Sequence, residues 1–140
     1  MIDLTVQKEI PVSAARAWEL LADFGDISWA PGMDNVEVEG QGVGMVRRIH
    51  LPDAQPVEEK LEVLDPQTRT IVYSIPAGIP MPVTNYRATA RVVDLGGNKC
   101  RIDWQCSAQE AGVSAEEAEN IVRGFYGMLL GWIADELERR

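Results

Sequence analysis

The chain is poor in the residues that most often carry metal or covalent chemistry. It has one histidine, His50, and two cysteines, Cys100 and Cys106, among its 140 residues. A single histidine excludes a histidine-rich metal site, the cysteines lack the spacing of zinc ligands, and no glycine loop has a phosphate-binding pattern. We therefore predict no metal and no cofactor, and motifs identify no catalytic residue.

The two cysteines lie six residues apart in one predicted strand. At about 3.3 Å per residue they are separated by roughly 20 Å, which is too far for a disulfide. Reduced thiols indicate a reducing compartment.

Basic residues and long apolar runs are also scarce. The chain has 13 Lys and Arg against 22 Asp and Glu, a net charge of −9, and the basic residues are scattered. This disfavours nucleic acid, whose phosphates require clustered cations. No apolar stretch approaches the roughly 18–20 residues of a membrane span, and the start MIDLTVQKEI lacks the pattern of a signal peptide. We expect a cytoplasmic protein, a monomer or weak homodimer, with no membrane span.

What is present is the composition of a folded domain. Hydrophobic residues make up 46% of the chain and charged residues 25%, and no repeat or linker interrupts it. These values are typical of globular proteins, and the length matches one ordinary domain. We predict a single domain over residues 1–140.

Segments in which apolar and polar residues alternate, separated by turn-forming residues, predict a sheet built mainly from consecutive strands. Residues 2–10 alternate as a strand, and Ser13 is a suitable N-cap for a short helix before a turn-rich segment at 23–31. Gly, Pro and Asn then separate six further strands, predicted at 34–39, 43–51, 57–64, 69–75, 84–95 and 99–108. Consecutive strands with short turns favour antiparallel pairing.

The C-terminal quarter predicts one long amphipathic helix over residues 114–139. It opens with Ser114 and Glu117 in the positions of a capping box. Its apolar stripe is wide and consists of Ala118, Ile121, Val122, Phe125, Met128, Leu129, Trp132, Ile133 and Leu137. This helix and two short helices cannot cover a flat seven-stranded sheet. We therefore predict an α+β helix-grip fold, in which a curled antiparallel sheet surrounds this helix and two short helices follow the first strand.

Three glycines, Gly124, Gly127 and Gly131, lie within this helix, where each costs about 1 kcal/mol relative to alanine. Close approach to the sheet, a bend in the helix and room for a ligand are the possible explanations.

Two charges fall on the apolar face of the strands. Arg47 alternates with Met45, Ile49 and Leu51, and Glu59 alternates with Val57, Leu61 and Val63. If residues 52–56 form the hairpin loop, Arg47 lies diagonally from Glu59, within reach of its side chain. The two residues could simply neutralise one another, a bulge could turn one outward, or they could anchor the polar end of a ligand.

A curled sheet around one helix can leave a void at one end, and aromatic residues suit its walls. Tyr73 and Tyr86 are expected opposite one another across a hairpin. The loops at 52–56 and 76–83 are expected to border the opening of this cavity. We predict a ligand site lined by Arg47, Ile49, Glu59, Tyr73, Tyr86, Trp104, Phe125 and Met128.

The order of elements resembles the START/Bet v 1-like superfamily, including its polyketide cyclase/dehydrase and lipid-transport group. The segments that carry the resemblance are AWELLADFGDISWAPG, VEGQGVGMVRRIHLP, EEKLEVLDPQTRTIVYSI and TNYRATARVV, followed by the long helix. The resemblance implies a domain that binds a small apolar or amphipathic molecule, such as a lipid, polyketide or aromatic compound. It also leaves open a cyclase or aromatase using the same cavity, in which Glu59 would act as a base. A third alternative is a co-chaperone or interaction module that docks a partner through residues 76–83.

Residues 44–93 are also similar to the plant abscisic acid receptors. Glu59, Tyr73 and Tyr86 match positions that line the hormone pocket there, with Arg47 nearby. Asp34 or a neighbour stands where those receptors have a carboxylate-binding lysine, and the gating loop reads Leu51-Pro52-Asp53-Ala54 without its glycine. Ile79-Pro80-Met81 replaces the His-Arg-Leu latch. The resemblance therefore implies a ligand cavity and not hormone sensing.

Overall fold

A computed structural model describes residues 1–140. Seven strands form one antiparallel sheet in the order β1-β7-β6-β5-β4-β3-β2. The strands are β1 (Ile2–Ile10), β2 (Val36–Glu39), β3 (Val46–Ile49), β4 (Val57–Asp65), β5 (Thr70–Ala77), β6 (Val83–Gly96) and β7 (Lys99–Glu110). The helices are α1 (Ala14–Ala22) and α2 (Ala115–Arg139). The predicted helix-grip fold, a curled sheet around a long C-terminal helix, is confirmed.

Only one regular helix, α1, follows β1, although the sequence led us to expect two. Residues 23–33 form isolated turns, in which the amide nitrogens of Asp26, Ala30 and Met33 bond to the carbonyl oxygens three residues earlier. Pro31 lacks an amide hydrogen, and Gly32 has a φ of +80°, so a helix cannot continue there.

The long helix begins as its capping box predicts. Ser114 is the N-cap, and its hydroxyl accepts a hydrogen bond from the amide of Glu117 at 3.1 Å. The helix packs mainly against β1 and β7, while α1 packs against β6 and β7. Neither helix combines the length and hydrophobicity that a membrane span requires.

The three glycines of α2 do not allow a close approach to the sheet. A Cβ atom added at Gly124, Gly127 or Gly131 would have no neighbour within 4 Å. Close packing is therefore the wrong explanation for them, and nothing else in the structure explains their presence.

The predicted inward-facing residues of β4 are wrong near the end of the strand. Val63 was expected inside with Leu61, but the pairing of β4 with β5 shifts between these two residues. The irregularity reverses the alternation, so Leu61 is buried whereas Val63 is 37% exposed.

Candidate ligand-binding site

Arg47 and Glu59 form a buried ion pair on the inner face of the sheet. They lie directly opposite one another on β3 and β4, and Arg47 Nε donates to Glu59 Oε1 at 2.6 Å. The diagonal register that we predicted is wrong because the connection includes residues 50 and 51. Ile49 therefore pairs with Val57.

The turns after α1 hold the guanidinium in place. Arg47 Nη1 donates to the carbonyl oxygen of Phe24 at 2.7 Å, and the guanidinium carbon lies 3.9 Å from the centre of the Phe24 ring. The same carbon is 5.7 Å from the Tyr73 ring. A cation between aromatic faces, fixed by two hydrogen bonds, has little freedom to reorient.

A cluster of aromatic side chains continues from this ion pair into the core. The ring of Tyr73 lies 6.1 Å from that of Tyr86 and 6.2 Å from that of Trp104, measured between centroids. Trp104 Nε1 donates to the Tyr73 hydroxyl at 3.2 Å, and the hydroxyls of Tyr86 and Tyr126 share a hydrogen bond. Burial raises the pKa of all three tyrosines above their ordinary value, so their hydroxyls are neutral donors.

A bulge in β6 sets the position of Tyr86 relative to the neighbouring strands. Tyr73 pairs with Ala88 and not with Tyr86 as we expected, so the two tyrosines are diagonal neighbours. Between Thr84 and Arg87 the pairing with β7 shifts, and Asn85 there has a φ of +52°. Asparagine tolerates this left-handed conformation better than most residues do, which allows the bulge to form.

A cavity of about 330 Å³ lies between β3–β5, the turn segment 27–33 and one side of α2. Its wall is mostly apolar, with Arg47 and Glu59 as its only charged residues. The other lining residues are Ile27, Trp29, Ala30, Met33, Ile49, Leu51, Val57, Tyr73, Ile75, Pro80, Met81, Tyr86, Ile121, Phe125, Leu129 and Trp132. The ion pair belongs to the buried wall, whereas Pro80 and Ile121 are exposed and mark the open side.

Six of the eight residues predicted to line the site lie on this cavity, namely Arg47, Ile49, Glu59, Tyr73, Tyr86 and Phe125. Trp104 is only 2% exposed but does not line it, because Tyr73 stands in front as its hydrogen-bond partner. Met128 is 49% exposed and also lies off the cavity. The helical phase that turns Phe125 and Leu129 inward turns Met128 outward.

The sequence pattern did not indicate Tyr126 or the contribution of residues 27–33 to the cavity. Tyr126 is fully buried on α2, one position away from the predicted stripe, and completes the hydroxyl cluster. The segment 27–33 brings Trp29 to the wall. One tryptophan, Trp29, in a turn-rich and half-polar region was the available signal. Turns have no periodicity that shows which side faces inward.

The two proline-containing loops meet near the open side. Gly78 has a φ of +75°, and a Cβ atom added there would overlap the carbonyl oxygen of Pro56. Glycine is therefore required where these loops touch. Pro80 and Met81 line the cavity, whereas the loop 52–56 contributes only through its flanks, Leu51 and Val57.

Solved structures of similar shape share this architecture. A putative uncharacterized protein from Bacillus thuringiensis is 30% identical, with a TM-score of 0.86 and coverage of 97% of this chain and 98% of that one. The protein XoxI from Bacillus cereus is also 30% identical, with a TM-score of 0.85 and coverage of 98% and 96%. Norcoclaurine synthase from Thalictrum flavum, in complex with dopamine and hydroxybenzaldehyde, is 19% identical, with a TM-score of 0.81 and coverage of 99% and 87%. The last similarity shows the fold alone.

Among curated proteins, no sequence matches this chain. The profile of the family described as "Polyketide cyclase / dehydrase and lipid transport" matches residues 1–138, which is nearly the whole chain. The chain therefore belongs to the polyketide cyclase/dehydrase and lipid-transport family.

Proposed function

We propose that this protein binds a small hydrophobic molecule, such as a lipid, a polyketide or an aromatic compound, in the cavity beside α2. The observation that carries the proposal is a largely apolar cavity of about 330 Å³ with one polar location on its buried wall. Ligand sites are commonly apolar pockets of about 300–1,000 Å³ with a few well-placed polar groups. Membership of the family supports the same function.

The arrangement of the wall supports binding from the open side. Buried residues such as Ile49 and Val57 form the wall on the sheet, whereas half-buried Phe125 and Trp132 come from α2. A ligand would cover these half-exposed aromatic rings. Removing apolar area from water contributes about 25 cal/mol per Å².

The test is binding of the uncharged fluorescent probe N-phenyl-1-naphthylamine, combined with thermal unfolding in a panel of fatty acids, sterols, flavonoids and aromatic polyketides. A compound present at about one hundred times its Kd should stabilise the protein by about 2.7 kcal/mol. Leu129→Trp fills the cavity and should weaken binding of the probe at least about tenfold.

Met128→Trp is the matched control, because Met128 is the next residue of the same helix but lies off the cavity. It should bind the probe as the wild type does. Equal binding by a folded Leu129→Trp variant, or no stabilisation by any compound, would contradict the proposal.

A further inference from the structure

The polar part of the cavity wall carries one positive and one negative charge. Arg47 and Glu59 are the only charged residues on the wall, so their formal charges cancel. Bringing an unpaired charge into an apolar site costs several kcal/mol. Under the proposed function, on which this inference rests, the net charge of the wall therefore limits the charge of the ligand.

Hydrogen bonds within the protein leave one guanidinium nitrogen and one carboxylate oxygen of this pair without a partner. Arg47 uses Nε for Glu59 Oε1 and Nη1 for the Phe24 carbonyl oxygen, while Nη2 has no partner. Glu59 uses Oε1 only, and Oε2 has no partner. Every fully enclosed side-chain nitrogen and oxygen in the protein has a partner, so these two free atoms must be accessible.

The two free atoms distinguish between ligand groups. A carboxylate could accept from Arg47 Nη2 but would be repelled by Glu59, and an ammonium group could donate to Glu59 Oε2 but would be repelled by Arg47. A hydroxyl can accept from Nη2 and donate to Oε2 without adding charge. Bonds to charged partners are roughly twice as strong as bonds between neutral groups.

The size and walls of the cavity limit the rest of the ligand. At the packing density of protein interiors, about 0.74, a cavity of 330 Å³ holds roughly 240 Å³ of ligand atoms. This is enough for two or three fused rings, whereas a larger skeleton such as a sterol would extend through the open side. The aromatic side chains of Trp29, Phe125 and Trp132 line the wall and suit a flat ring system.

We propose that the cavity selects an uncharged, hydroxylated aromatic compound of two or three fused rings, whose hydroxyl bridges Arg47 Nη2 and Glu59 Oε2. The ion pair, by this inference, recognises a neutral hydroxyl and excludes carboxylates.

The experiment compares three probes of nearly equal size, namely 2-naphthol, 2-naphthoic acid and naphthalene, by calorimetry at neutral pH with the wild-type protein. We expect 2-naphthol to bind about tenfold more tightly than naphthalene, because of its two hydrogen bonds, and more tightly still than naphthoate. Naphthoate binding as well as 2-naphthol, or naphthalene binding equally well, would overturn the inference while leaving the cavity a binding site. If no probe binds, including N-phenyl-1-naphthylamine, the proposed function itself fails.

Glu59→Gln provides the second measurement, because it keeps the shape of the side chain and leaves Arg47 with an unbalanced positive charge. The preference for 2-naphthol over naphthoate should shrink or reverse in this variant. Glu58→Gln is the control, since Glu58 is the adjacent residue of β4 and pairs with Arg48 instead. An unchanged preference in folded Glu59→Gln would contradict the inference, and the wild-type comparison decides it if that variant does not fold.

Discussion

The two halves of the sheet are covered in different ways. Over β1, β6 and β7 the two helices pack directly on the sheet. Beside large residues such as Trp104, the inner face of β6 and β7 carries the small residues Ala88, Ala90, Cys106 and Ala108. Over β3, β4 and β5 neither helix packs closely, and the inner face carries the ion pair, Ile49 and Tyr73. Small side chains let a helix approach, so one half is a solid core and the other forms the wall of a cavity.

The same difference divides α2 along its length. Val122, Tyr126 and Ile133 are fully buried on the side that faces the solid half. Ile121, Phe125 and Trp132 line the cavity and are partly exposed. One helix thus packs on the sheet with one stripe and lines the cavity with a second, which explains why its apolar surface is wider than a packing interface alone requires.

Among changes in the cavity half, breaking the ion pair should cause the largest loss of stability. Arg47→Met leaves Glu59 buried without its partner and should lower the free energy of unfolding by about 3–5 kcal/mol. The double variant Arg47→Met, Glu59→Leu removes both charges and should recover most of that loss. Urea unfolding of both variants measures the effect. A loss below about 1 kcal/mol in the single variant would mean that the open cavity hydrates the charge well.

Truncating one side chain in each stripe of α2 should lower the stability of the protein by different amounts. Ile133→Ala creates a void in the solid half and should cost about 2–5 kcal/mol. Ile121→Ala removes a side chain that is 42% exposed at the cavity and should cost no more than about 0.5 kcal/mol. Chemical denaturation of both variants is the measurement. Equal losses would contradict the division of the helix into a stripe that packs on the sheet and a stripe that lines the cavity.

The tyrosines at the boundary between the halves should make stability depend on pH only in alkaline solution. We expect no change in stability near neutral pH and a loss of stability at high pH. All three tyrosines of the chain, Tyr73, Tyr86 and Tyr126, have a pKa raised by burial. The stabilisation is fully present below the unfolded pKa of about 10 and is lost as the pH rises above it toward the folded pKa.

Ultraviolet absorbance of tyrosinate, followed together with circular dichroism, tests this prediction. No tyrosinate signal should develop while the protein remains folded, and all of it should appear with alkaline unfolding. A signal from the folded protein near pH 10 would show that water reaches at least one of these hydroxyls through the cavity.

Much of the fold could be predicted because its signals are local. Strand alternation, the glycine and proline punctuation and the Ser114–Glu117 capping box each depend on neighbouring residues, and they correctly predict the strands and α2. Alternation also predicts that Arg47 and Glu59 share the buried face, since side chains of one strand face are two residues apart.

The register of the strands was decided only by the tertiary structure. A shift of two residues leaves every side chain on the same face, so alternation cannot distinguish a diagonal Arg47–Glu59 pair from the direct one that forms. The shift between Leu61 and Val63 and the bulge at Asn85 also depend on how neighbouring strands pair.

The cavity and its lining required the tertiary structure for the same reason. The sequence pattern was enough to show that α2 has a wide apolar surface, that two charges lie inside and that the helices cannot cover a flat sheet. Which side chains of α2 face the core or the cavity, and that residues 27–33 close one side, depend on packing between distant segments. Hydrophobic periodicity reports that a side chain avoids water, but it does not report which side chains surround it.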